Sequence, residues 1–91
     1  MNHVVAYELI TAELDAYSTP SYDEIRQLVG ERASRLVRGR DGADYDLATT
    51  VRWLNSIRRE EIRVSVFIGD ANCDAPHDSL IDSIVVLPPP S

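Results

Sequence analysis

Ile62, Val64, Val66 and Ile68 alternate with Arg63, Ser65 and Phe67, and this period of two constrains the chain more than any other feature. β-Branched residues dominate the run, as a half-buried pleated strand requires. Residues 61–68 are therefore expected to be a strand. Residues 80–87, Leu80 to Leu87, read as a second strand ended by Pro88, Pro89 and Pro90. Three prolines cannot donate to a ladder and favour an extended conformation, so the chain is expected to leave the fold there.

Residues 44–54 fit two periods. Tyr45, Leu47, Thr49, Val51 and Trp53 alternate, while Leu47, Val51, Leu54 and Ile57 fall at helical spacing. A helix running through Arg59 leaves no connection before Glu61. A strand ending near Leu54 leaves Asn55 to Glu60 as a hairpin loop of ordinary length, and the strand is preferred.

The helix expected from the sequence covers about 21–38. Ser21 followed by Glu24 has the form of a capping box, and Asp23 and Glu24 set acid on the positive end of the helix dipole. Ile25, Leu28, Val29, Ala33, Leu36 and Val37 follow at spacings of three and four. Gly30 falls inside this stretch at a cost of about 1 kcal/mol relative to alanine. Gly39 reads as a stop, and Asp41-Gly42 as a turn. Residues 3–17 are divided between a strand pattern (Val5, Tyr7, Leu9, Thr11) and a helix pattern (Tyr7, Ile10, Leu14, Tyr17), and a strand at 3–11 is preferred.

These elements give an α+β fold in the order β-α-β-β-β. One long amphipathic helix packs on a three- to four-stranded, mainly antiparallel sheet. The alternative places two N-terminal helices on a three-stranded meander. Ninety-one residues suffice for one core and no more, so 1–87 is expected to be a single domain with 88–91 as an extended tail.

Charge is unevenly placed. All nine basic residues are arginine, and the net charge is -6. Residues 1–25 hold five acids and no base, 64–91 hold four acids and no base, and 26–63 hold every arginine against six acids. Without lysine the chain has neither a Schiff-base nucleophile nor a phosphate-loop lysine. An acidic total disfavours direct binding to nucleic acid. Cys73 is the only cysteine, which excludes an intrachain disulfide and leads to the expectation of a reducing, cytoplasmic setting. Met1-Asn2-His3 puts no base ahead of the first apolar stretch, so no secretory leader is expected, and no apolar run approaches the roughly 18 residues of a membrane span.

The segment 69–78 gathers the residues most suited to chemistry. Asp70, Asn72 and Asp74 match the first three ligand positions of an EF-hand loop, but Ala75 stands where its glycine is needed and Ile81 where its glutamate belongs. Cys73, His77 and His3 fall short of a soft-metal set, and acidic neighbours raise rather than lower a thiol pKa. Asp44 and Asp46 share a strand face without a cleft to work in. No metal, cofactor or catalytic residue is expected, and the protein is read as non-enzymatic.

The function expected is a small acidic protein-binding module that occludes a basic protein partner. Inhibitors, immunity or antitoxin-type proteins and phage-encoded blockers of nucleic-acid-handling machinery work in this way. Its contact residues are expected to be Asp70, Asp74 and Asp78 in one loop and Glu8, Glu13 and Asp15 near the N-terminus. Tyr45, Trp53, Arg52 and Arg63 form a second candidate interface or pocket. The alternatives are a small-ligand pocket lined by Tyr7, Tyr45, Trp53 and Phe67, and a homodimer paired through the edge strand at 80–87.

Overall fold

The computed structural model describes residues 2–71 and 79–90. Its elements in chain order are α1 (His3–Ser18), α2 (Tyr22–Arg26), β1 (Arg32–Arg38), β2 (Asp44–Trp53), β3 (Ile62–Asp70) and β4 (Ser79–Val86). The strands form one antiparallel meander in the order β1-β2-β3-β4. The expected architecture is present, one long helix on a four-stranded antiparallel sheet, but the helix comes from a different part of the sequence.

That long helix is α1. Asn2 caps it, its side-chain oxygen accepting from the amides of Val4 (3.1 Å) and Val5 (3.3 Å), and Pro20 prevents its continuation. Val5, Ala6, Ile10 and Leu14 are buried along one stripe, flanked by half-buried Leu9 and Tyr17. The strand expected at 3–11 is thus corrected to helix: the alternation there is incidental, whereas Val5, Leu9, Ile10 and Leu14, spaced i, i+4, i+5 and i+9, meet a core.

The helix expected at about 21–38 is also corrected. Ser21 does cap a helix, its hydroxyl accepting from the Glu24 amide at 3.3 Å, but α2 stops at Arg26 and passes into tight i→i+3 turns through Glu31. Gly30 is the cause. It sits at φ +94°, a conformation that excludes helix and strains any side chain, and its amide donates to the Val51 carbonyl at 2.8 Å. The chain enters β1 directly afterwards, so Arg32, Arg35 and Arg38 are strand residues rather than the end of a helix. Gly39, read as a helix stop, lies buried in the bend between β1 and β2.

β2 and β3 stand where the alternation put them, and β4 lies within one residue of the segment read between Leu80 and the prolines. Val51 faces Val64, Leu47 faces Ile68, and Thr49 faces Val66. With Tyr45 and Ile62 these side chains meet Val5, Ile10, Leu14 and Ile25 to make the core. Every main component of that core is on the helix side of the sheet.

The β2–β3 loop holds one strained residue. Asn55 caps a single turn by accepting from the Ile57 (2.9 Å) and Arg58 (3.2 Å) amides, and Arg59 closes it at φ +51°. A left-handed conformation costs a side-chain residue about 1 kcal/mol or more, part of which glycine's larger unfolded-state entropy offsets. Arg59→Gly is therefore expected to stabilise the protein by about 0.5 kcal/mol. Urea unfolding of the two proteins checks this through the midpoint at unchanged slope.

Candidate functional site

The six acids assigned to partner contact are not one surface. Glu8 forms a two-pronged pair with Arg40, at 2.8 and 3.1 Å. Glu13 points inward, where one oxygen receives the Arg35 guanidinium at 2.6 Å and the other the hydroxyl of buried Thr49 at 3.2 Å. Both carboxylates thus hold α1 onto the β1–β2 half of the sheet. Asp15 is exposed on the helix. Asp70 ends β3 opposite Tyr45. Asp74 and Asp78 lie outside the described residues, as do Asn72, Cys73, Ala75 and His77.

The second candidate set is divided by the sheet itself. Tyr45 is fully buried under α1 and Trp53 is half-buried on that same side. Arg52 and Arg63 are exposed on the opposite face, where they sit directly across from each other. The four aromatics of the pocket alternative also separate: Tyr7 is on the outer surface of α1, Phe67 on the helix-free face, and Tyr45 and Trp53 between the layers. The cavity described between the layers, beside Thr49, Tyr17 and Leu28, measures about 30 Å³.

Tyr45 has a structural role. Its hydroxyl donates to Asp41 at 2.7 Å, and Asp41 also accepts from the Ala43 amide at 3.3 Å, which fixes the β1–β2 bend. The Tyr45 hydrogen bond is the main reason that the Asp41 carboxyl lies below its ordinary value of 3.8. Burial, then the same bond, pushes the Tyr45 phenol above its ordinary value of 10.0. Two consequences of opposite sign follow. Asp41 contributes stability at neutral pH that is lost as pH falls below about 4, because the unfolded carboxyl protonates first. Tyr45 contributes stability that is intact below about pH 10 and lost above it, because the unfolded phenol ionises first. Tyr45→Phe is expected to flatten the alkaline limb of the stability–pH curve and to return Asp41 toward its ordinary value, measured by denaturation at stepped pH and by carboxyl titration in NMR.

Sequence reasoning passed over the helix-free face as a unit. Antiparallel register puts Arg32, Thr50, Ser65 and Ser83 in one cross-strand row and Ser34, Ala48, Phe67 and Ile81 in the next. Arg52, Arg63 and Val85 form a third row, and Leu36, Asp46, Gly69 and Ser79 a fourth on the far side. Four large apolar side chains of this face are exposed: Leu36 (67%), Ile81 (64%), Phe67 (47%) and Val85 (44%). A shallow depression of about 260 Å³ lies beside two of them, lined by Arg32, Ala48, Thr50, Ser65, Phe67 and Ile81. The available signal was Phe67, a large apolar residue on the polar phase of the clearest strand.

Among the described residues no helix is long and apolar enough to cross a membrane. Comparisons with protein-family models, with curated proteins and with solved structures found no match, so any functional reading rests on the geometry of this face.

Proposed function

We propose that the protein is a non-catalytic protein-binding module that works by covering part of a partner's surface, with the helix-free face of the sheet as its contact. The observation that carries the reading is the exposure of Leu36, Phe67, Ile81 and Val85 on one face of one sheet. Single exposed apolar residues are ordinary, but several on one face of a small domain form the kind of patch that marks an interaction surface. Arginine beside aromatic and aliphatic side chains is also the composition favoured at interface centres.

This reading keeps the mode of action expected from the sequence and relocates the contact. Glu8 and Glu13 are engaged within the fold, which leaves the N-terminal acidic edge with little to offer a basic partner. The test is affinity capture from lysate of the source cell with the wild-type chain and with a Leu36→Ser, Ile81→Ser double variant. Both positions are exposed, so the variant is expected to fold, and circular dichroism checks that. A stoichiometric partner held by the wild type and lost by the variant supports the reading. A partner held equally by both contradicts it.

A further inference from the structure

The charge on the helix-free face is opposite in sign to that of the chain. Four arginines (Arg32, Arg38, Arg52 and Arg63) share it with two aspartates, Asp44 and Asp46, in a protein of net charge -6. Arg38 is paired with Asp44 at 3.2 Å. Among the described residues Arg32, Arg52 and Arg63 have no carboxylate partner. Like charges directly opposite on a sheet destabilise it, and Arg52 and Arg63 are such a pair. These three arginines lack carboxylate partners, and a ligand can bring them. We propose that the face binds an acidic amphipathic helix of a partner protein, its apolar side chains on Phe67 and Ile81 and its carboxylates on Arg32, Arg52 and Arg63.

A helix suits the surface better than an extended segment. Strand backbones spend their hydrogen bonds in the plane of the sheet, so a segment laid face-on finds no backbone partners there. An extended chain would be desolvated without compensation, whereas a helix brings its bonds with it. The outer strands of a four-stranded sheet lie about 14 Å apart, wide enough to seat one helix of about 10 Å diameter on the face.

The opposite face supplies the precedent. There α1 lies on apolar strand residues while Glu13 collects the Arg35 guanidinium and the Thr49 hydroxyl. On the helix-free face Arg32 stands directly across from Thr50, beside Ala48 and Phe67, and offers the same pair of donors to a second carboxylate. At physiological salt the screening length is about 8 Å, so a docked carboxylate responds to the arginines beneath it more than to the net charge. A second copy of this chain fits less well, since face-to-face pairing sets one net-positive surface against another.

The inference rests on the reading of this face as a docking surface, and one experiment separates the two. A labelled helical peptide of roughly 18 residues, with a leucine stripe flanked by glutamates, is titrated into the full chain by fluorescence anisotropy, beside a twin with glutamine for every glutamate. Amide NMR of the chain locates the contact. The glutamate peptide is expected to bind at least about tenfold tighter than its twin, with shifts centred on Phe67 and Ile81. A folded Arg52→Gln, Arg63→Gln variant is expected to lose most of that difference. Equal binding of both peptides at this face overturns the acidic chemistry and leaves the docking surface standing. Shifts elsewhere, or binding of neither peptide, overturn the proposed ligand. So do displacement of the peptide by single-stranded oligonucleotide and a wild-type dimer in sedimentation that Ile81→Ser dissolves.

Discussion

Ile10→Ala is expected to destabilise the protein by about 3–4 kcal/mol, the largest effect of any single truncation considered. Ile10 is fully buried in the middle of α1, in the cluster that contains Val64, Val66 and Ile68. The substitution removes three carbons from a site with no route to solvent. The cost is the lost transfer energy plus that of the cavity left between two rigid layers. Alanine's better helix propensity offsets only a few tenths of a kcal/mol. A domain of this size has a total stability of roughly 5–10 kcal/mol, so the variant keeps a fraction of it and its unfolding midpoint in urea falls accordingly. A loss under about 1 kcal/mol would mean that α1 does not pack on the sheet as described.

Gly39→Ala is the second large effect, expected to cost about 2 kcal/mol. A Cβ built at this position falls 2.6 Å from an Asp41 carboxylate oxygen, 2.7 Å from Val5 Cγ1 and 2.8 Å from Tyr45 Cε2. None of the three neighbours moves freely. Asp41 is held by the Tyr45 hydroxyl and the Ala43 amide, Val5 belongs to the first turn of α1, and the Tyr45 ring is buried. The methyl group therefore forces apart the start of the helix and the β1–β2 bend, which the Arg40–Glu8 pair otherwise clamps from outside. Loss of conformational freedom in the unfolded chain returns about 0.5 kcal/mol, and the net remains destabilising. Thermal unfolding with amide hydrogen exchange checks both parts: a lower midpoint, and faster exchange confined to residues near 3–6 and 39–45. Uniformly faster exchange would contradict a local clamp.

The two faces of this sheet explain what was legible in the sequence and what was not. Strands β2 and β3 could be read because each buries alternate side chains under one helix, and Tyr45, Leu47, Val64 and Val66 announce that period directly. β4, an edge strand that only half-buries Leu80, Ile84 and Val86, was marked instead by its apolar run and the prolines that end it. The α+β class followed from them. The helix was misplaced because local pattern and tertiary environment disagree twice. Residues 25–37 carry apolar side chains at helical spacing, yet β1 is an edge strand that exposes Leu36 and Ala33, so its alternation is faint. Gly30 contributes the deciding term, a positive φ, and sequence offers it only as one helix-weakening residue among good formers. Across 3–17 the β-branched Val4, Val5, Ile10 and Thr11 mimic a strand, and the signal that wins is Asn2 at the cap together with burial of Ile10 and Leu14.

The site was less legible than the fold. Acidic residues were counted without knowing which of them face arginines across space, and Glu13 to Arg35 spans 22 positions in sequence. Arg52 and Arg63 could be named as candidates, but only the register of β2 against β3 sets them side by side and away from Tyr45. The exposed apolar residues of this face, Leu36, Phe67 and Ile81, come from three strands, and no local window contains them.

The central claim is that contact is made through the helix-free face, and the most direct measurement is an amide NMR map of the chain with its captured partner bound. The account predicts that shifts and protection from exchange fall on β-strand residues whose side chains leave that face, Phe67, Ile81 and Arg63 foremost, while the outer surface of α1 is unchanged. Perturbation centred on Tyr7, Thr11 and Asp15, with the sheet face silent, would contradict it.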